Sequence, residues 1–394
     1  MKYWTGYITA GVIGAITWAL MRLAEKFTAL VDMVYPYVSR MIMTYLTDWS
    51  SGVDFCLWQV AVIAFAVIVV ASVVLMIVMK WNPVRWLGWV LAVVSVVYCL
   101  NTLVFGLNYY AGSIADDIRM EVKDFNVAEL ADAAEYYRDK ANKLAVKVER
   151  DANGDVVYAD FGTLADQAAD GFDALVYEEG YSVFAGSTTP VKELGWADMY
   201  TSMGITGFTL GITGEAAVNP QIPAVSLPFT MCHEMAHRMT IAIEGDANFA
   251  AFLACQANSD VQFRYSAYFM AYRYCYNALV SVGTTESAAA ASEISAGACT
   301  ELKNDMSSYS AFFSEKRDEK ATKVANTVND TYLKTSGDSA GVASYDNVCD
   351  LLYIWYYQQE VLPTLIVEED PFDPFDETQI DLSGNANAKV QEGE

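Results

Sequence analysis

Leu227-Pro228-Phe229-Thr230-Met231-Cys232-His233-Glu234-Met235-Ala236-His237 is followed, six residues later, by Glu244-Gly245-Asp246-Ala247-Asn248. The chain of 394 residues has two histidines, and both lie in this stretch as H-E-x-x-H. On a helix, positions i and i+4 share a face, so both imidazoles reach one divalent ion while Glu234 leans over the water beside it. Zinc hydrolysis uses those parts: two neutral nitrogen ligands, a third protein ligand, an open position for water, and a carboxylate to take the proton. No histidine is left for the third ligand, and Glu244 and Asp246 both stand within nine residues of His237. Gly245 lets the backbone turn so that a second helix faces the first. Glu244 and Asn248 are i and i+4, which places Asn248 to hydrogen-bond a metal-bound Glu244. Asp246 is similarly placed on a shorter arm, and the two carboxylates stay open as ligands on spacing alone. The competing reading is a structural metal clip or a chance pentapeptide; a clip has no use for Glu234.

The chain as a whole is unusually apolar, 54% hydrophobic and 13% aromatic, and the excess is local. Phe55 to Met79 is a run of 25 uncharged positions, beyond the roughly 20 that cross a bilayer as a helix. Trp4 to Met21 and Trp86 to Gly106 are two further uncharged stretches of spanning length, with tryptophans near their ends where interfacial aromatics belong. No small-residue cleavage site follows the first, so it reads as an anchor and not a signal peptide. Between the first two, Lys26 to Trp49 has apolar residues at helical spacing and predicts an interfacial amphipathic helix interrupted near Pro36. Counting Lys and Arg in the flanks leaves the two orientations level.

Past Tyr110 the composition becomes that of a water-soluble domain. The first 113 residues carry a net of +2, leaving −27 for the other 281. A surface this acidic repels nucleic acid and anionic headgroups, which excludes a nucleic-acid partner. Asp124 to Glu149 has helical periodicity, and Asn153-Gly154 among charged neighbours marks a turn within 150 to 160. Gly204 to Asn219, G-I-T-G-F-T-L-G-I-T-G-E-A-A-V-N, predicts strand and turn just before the histidine helix, where many metallopeptidases align substrate by strand addition. Residues 264 to 276, rich in Tyr and Arg, fall on a predicted helix of about 20 residues. Tyr265, Arg264 and Tyr345 are candidates to stabilise an oxyanion, although packing or surface pairing is the commoner role of such residues. Seven cysteines include no C-x-x-C pair, so a thiolate zinc site is not signalled; Cys232 points away from the histidine face, and buried free thiols are expected over a disulfide among Cys275, Cys299 and Cys349. From Glu368 onward nine acidic residues stand against one lysine, a composition that does not fold alone.

The run from Leu227 to His237 with Glu244 to Cys255 resembles the bacterial family called domain of unknown function 3810, membrane-anchored proteins with a zinc metallopeptidase-like domain. F-G-L-N-Y-Y at 105–110, G-I-T-G-F at 204–208, G-E-A-A-V-N at 214–219, F-R-Y-S-A-Y at 263–268, V-N-D-T-Y-L-K at 328–334 and G-V-A-S-Y at 341–345 carry the same resemblance. It extends from the first span to about residue 360. It implies topology and site positions and no substrate. The wider glutamate-zincins place their third ligand in E-x-x-A-D or E-x-x-A-N, which Glu244 to Asn248 matches, so the resemblance favours Glu244. At 246 the family usually has glutamate where this chain has aspartate. The family's basic amino-terminal and second-loop segments imply a cytoplasmic amino terminus and an extracytoplasmic catalytic domain; Lys2, Lys80 and Arg85 are a diluted version.

The expectation is therefore an α+β, mainly α chain: a membrane anchor over 1–110 with three transmembrane helices and an interfacial helix, a zincin-like metallopeptidase domain with a small β-sheet over 111–362, and an acidic, disordered tail over 363–394. Its expected cofactor is Zn2+, its site His233, His237 and Glu244 around the general base Glu234, its partners a peptide or protein substrate and the lipid bilayer, and its place the bacterial cell membrane. A non-catalytic membrane-tethered binding or sensor protein is the alternative. An intramembrane protease is disfavoured because Arg238, Glu244 and Asp246 crowd the motif.

Overall fold

A computed structural model describes residues 4–121, 123–338 and 348–363. Tyr345, the 341–345 landmark and all but the first residue of the acidic tail lie outside the described residues.

The chain is mainly helical, with one three-stranded sheet. Three helices are long and apolar enough to cross a membrane: α1 (Thr5–Lys26), α3 (Leu57–Val78) and α4 (Pro83–Val104). Each overlaps one of the three uncharged stretches. The helices α1 and α4 run side by side in the same direction, with Gly6 against the Gly88 backbone near one end and Met21 Sδ 3.8 Å from the Tyr98 hydroxyl near the other. A Cβ on Gly6 would collide with Gly88, so the small residues are what lets the backbones approach. α3 runs the opposite way and stands apart, tied to α4 by Trp86 Nε1 donating to Ser72 Oγ at 3.0 Å. The amino-terminal end and the 79–82 loop therefore share one end of the helices, and the domain occupies the other.

α2 (Thr28–Ser50) corrects the expectation of an interrupted helix, because it continues through Pro36. The proline costs a backbone hydrogen bond, but the turns around it are held from outside: Tyr35 Oη donates to the carbonyl oxygens of Thr102 and Leu103 (3.1 and 3.0 Å), and Ser39 Oγ to that of Val104 (2.5 Å). These carbonyls end α4 and have no partner within it. α2 also turns four of its polar residues inward, while Asp32 and Asp48 stay exposed. Ser39, Arg40, Thr47 and Ser50 are buried, while Leu30, Met33, Val34, Met41, Tyr45 and Trp49 face out.

The domain follows a turn at Gly106–Tyr110 and the short α5 (Ile114–Asp117). α6 (Val127–Ala145) starts on a capping box between Asn126 and Glu129, inside the predicted 124–149 helix. The predicted turn closes as a bridge between Arg150 and Val156, with Gly154 at φ 88°. After α7 (Phe161–Tyr177), β1 (Lys192–Glu193) and α8 (Ala197–Met203), the 204–219 stretch forms the hairpin of β2 (Gly207–Leu210) and β3 (Glu215–Val218). Sheet order is β1-β3-β2; β1 pairs parallel to β3, β2 antiparallel with Leu210 opposite Glu215, and among the described residues one side of β2 has no strand neighbour. α9 (Leu227–Arg238) packs on the hairpin, and α10 (Glu244–Ala257), buried from Glu244 to Cys255, is the centre of the main core between α7, α9, α11 (Val261–Ser281) and α15 (Val348–Tyr356). α12 (Thr285–Ala296), α13 (Thr300–Lys316) and α14 (Glu319–Ser336) complete the outer layer.

All seven cysteines are free thiols. Cys232 lies against Cys255 and Cys275 against Cys349, and burial pushes the Cys255 and Cys275 thiols up.

Candidate metal centre

Pro228 lies in the first turn of α9, where a missing N–H costs nothing. The helix stops because Thr240 adopts φ 75°, the left-handed conformation of a helix stop: Ile241 N donates to Ala236 O (3.1 Å) and Thr240 N to His237 O (2.9 Å). A β-branched residue is rare there. The turn is fixed from outside by Arg40 of α2, whose Nε donates to Met239 O (3.1 Å) and whose second nitrogen donates to Ser182 O (3.0 Å). Five residues after Met239 the chain re-enters a helix, so the start of α10 faces the end of α9.

That reversal brings three ligand atoms together. His233 Nε2 lies 3.1 Å from His237 Nε2, and Glu244 Oε2 lies 3.3 and 3.4 Å from the two nitrogens. The group fits within 4.8 Å. His237 Nδ1 sits 2.8 Å from the Ile241 carbonyl oxygen, which requires the proton on Nδ1 and frees Nε2 for a ligand. Burial disfavours a charged His237, yet the Glu244 and Glu234 carboxylates outweigh it and push its pKa up to about 9, so the site favours positive charge at Nε2, which a divalent cation would supply in place of the proton. Burial would likewise raise Glu244, but the two imidazoles hold it well below the usual carboxylate range. Its Oε2 is buried with no hydrogen-bond partner. Two imidazoles, one carboxylate and an orphaned buried oxygen at their meeting point make a donor set that fits zinc.

Glu234 is buried, and that burial pushes its pKa up against the pull of the two histidines. The Thr209 hydroxyl on β2 lies 2.7 Å from its Oε2, and Gly207 lies so close to its Oε1 that any side chain there would collide. The 204–219 pattern points to a strand near the histidine helix; a glycine inside a strand signals close approach of another group, and at Gly207 the group is this carboxylate. Thr209, Ile241 and Arg40 are site residues that the motif reading did not single out. Thr209 and Ile241 carry no signal of their own.

Asp246, the rival ligand, faces elsewhere. Its carboxylate accepts from Ser113 Oγ (3.1 Å) and Ile114 N (3.0 Å) at the start of α5, and burial pushes its pKa up to about 6. Asn248 does not bond to Glu244: its Oδ1 accepts from the Tyr274 hydroxyl (3.2 Å), and its Nδ2 is buried without a partner. Tyr265 donates instead to Asp305, which is also gripped by both terminal nitrogens of Arg150 (2.8 and 2.7 Å). That hydroxyl is spent inside a structural network. Among the described residues no hydrogen bond or ion pair joins Arg264 to the histidines, Glu234 or Glu244, and Tyr345 lies outside the described residues.

The family model described as "Protein of unknown function (DUF3810)" matches residues 31–353, a range that includes the hairpin, the histidine helix and Glu244. No curated protein and no solved structure matches the chain.

Proposed function

We propose that this chain, which belongs to the DUF3810 family of proteins of unknown function, is a membrane-anchored zinc metallopeptidase. The observation that carries this reading is the meeting of His233 Nε2, His237 Nε2 and Glu244 Oε2 within 4.8 Å, with Glu234 one residue along the same helix. The three would hold the ion. Bound there, zinc supplies a Lewis acid that activates water and polarises the scissile carbonyl.

The chain's own residues do the rest. Glu234 is buried, and that burial raises its pKa from the ordinary value, which suits a group that takes a proton from water and passes it to the departing amine. Water adds across the C–N bond: its oxygen joins the carbonyl carbon to give the acid, and the proton reaches the amine nitrogen through Glu234. Thr209 and Gly207 hold that carboxylate at the edge strand. The free side of β2 offers backbone groups with which an extended peptide can pair beside Glu234.

Purified full-length protein loaded with zinc should cut members of a random peptide library, lose the activity to a chelator and regain it with zinc. One zinc per chain with no cleaved peptide would favour the tethered sensor instead.

A further inference from the structure

The edge strand beside Glu234 is built onto the ends of two apolar helices. The first two N–H groups of α3, Leu57 and Trp58, donate to the Glu215 carboxylate on β3 at 2.7 and 2.9 Å. Lys192 on β1 reaches the same carboxylate at 2.8 Å and the carbonyl oxygens of Ser50 and Phe55 at 2.8 and 3.0 Å. Gln59 and Gly195 exchange two hydrogen bonds of 3.0 and 3.1 Å. Cys56, Trp58 and Gln59 are buried against the domain, whereas from Val60 onward α3 is almost wholly exposed. The boundary between protein-covered and lipid-ready surface thus falls at the first turn of α3.

β2 lies at that boundary. The Phe208 ring sits 5.1 Å from the Trp58 ring, centroid to centroid. At its other end Gly211 abuts α4 and the residue after it, where a Cβ would meet Phe105 Cβ at 2.5 Å and Asn101 Oδ1 at 3.4 Å. Trp196, Met199 and Phe208 are exposed near the start of α3, with the acidic Asp198 exposed among them.

We infer that the peptide taken by this site is the juxtamembrane segment of another membrane-anchored protein, cut within a few residues of its entry into the bilayer. The inference rests on the peptidase reading and on α1, α3 and α4 spanning the membrane. A strand paired to β2 lies one inter-strand spacing, about 4.8 Å, from the residues that touch α3 and α4. Gly207, against Glu234, and Phe208, against Trp58, are consecutive, so at about 3.3 Å per extended residue a few residues bridge from the start of α3 to Glu234. Substrates confined to the same membrane gain effective concentration that a free peptide lacks.

The full-length zinc-loaded protein is reconstituted in phosphatidylcholine vesicles. A sequence found by library cleavage is offered free in solution, on a single-span anchor four residues from the span, and on the same anchor behind a 30-residue Gly/Ser spacer. The near-anchored form should be cut at least about tenfold faster than the other two. Equal rates for the free and near-anchored forms, or protection of the near-anchored form alone, would overturn the inference while leaving the peptidase reading intact. Absence of any cleaved library sequence overturns both. A readout independent of activity places this surface: bimane on Met199→Cys should be quenched by brominated lipid, and bimane on Glu286→Cys, on α12, should not. Equal quenching at the two positions, or none at Met199→Cys, contradicts the membrane-level site.

Discussion

The Thr209 hydroxyl lies 2.7 Å from the Glu234 carboxylate and 3.0 Å from the carbonyl oxygen of the same residue, so one side chain ties the edge strand to Glu234. A hydrogen bond to a charged group contributes about 1.5–3 kcal/mol. Thr209→Val should therefore lower kcat by roughly 10-fold or more, with zinc content unchanged. Thr209→Ser should restore it. Wild-type kcat in the valine variant would mean that Glu234 is positioned by α9 alone.

The third ligand separates from its rival by zinc content. Glu244→Gln removes the carboxylate that meets both imidazoles and should abolish tight binding. Asp246→Asn should keep the ion and cost stability, because it weakens the hold on Ser113 and Ile114 at the start of α5. The reverse ranking, measured as metal per chain, would make Asp246 the ligand.

Tyr265 is expected to serve the fold and not the chemistry. Tyr265→Phe should leave kcat within about twofold, since its hydroxyl is engaged by Asp305. Asp305→Ala should be more damaging, because the largely buried Arg150 loses its carboxylate partner and keeps only the carbonyl oxygens of Ala145 and Gly154. Thermal or denaturant unfolding of the two variants checks the order, and a large loss of turnover in the phenylalanine variant would contradict it.

The paired histidines and the apolar stretches were legible because each is a local pattern: a five-residue helical spacing, and length without charge. The hairpin was legible from β-branched residues between glycines. Local pattern does not say where a side chain goes once helices pack. Asp246 and Glu244 look alike in sequence and differ only because one faces α9 and the other α5. Tyr265 looked like an oxyanion donor because Arg150 and Asp305, distant along the chain, were not visible as its partners. In α2 the hydrophobic spacing is that of a helix, but Ser39, Arg40, Thr47 and Ser50 face the domain while Leu30, Met33, Met41 and Tyr45 are exposed. Pro36 read as a break because the contacts that bridge it come from residues 102–104.

The orientation of the anchor is open to labelling. The 79–82 loop and the domain lie at opposite ends of the apolar helices, so cysteines at Asn82 and Glu286, both exposed, should never react from the same side. With the amino terminus in the cytoplasm, Glu286→Cys reacts with an impermeant thiol reagent in intact cells and Asn82→Cys only after lysis. The opposite pattern would put the domain in the cytoplasm, and reaction of both in intact cells would break the three-span account.

Glu234 carries the central claim, because a structural metal clip would not need it. The most direct measurement pairs zinc content with peptide hydrolysis in Glu234→Gln. The account predicts about one zinc per chain, as in the wild type, and hydrolysis reduced by roughly 10²-fold or more, the scale of a positioned acid–base group. Wild-type hydrolysis with zinc retained would contradict it.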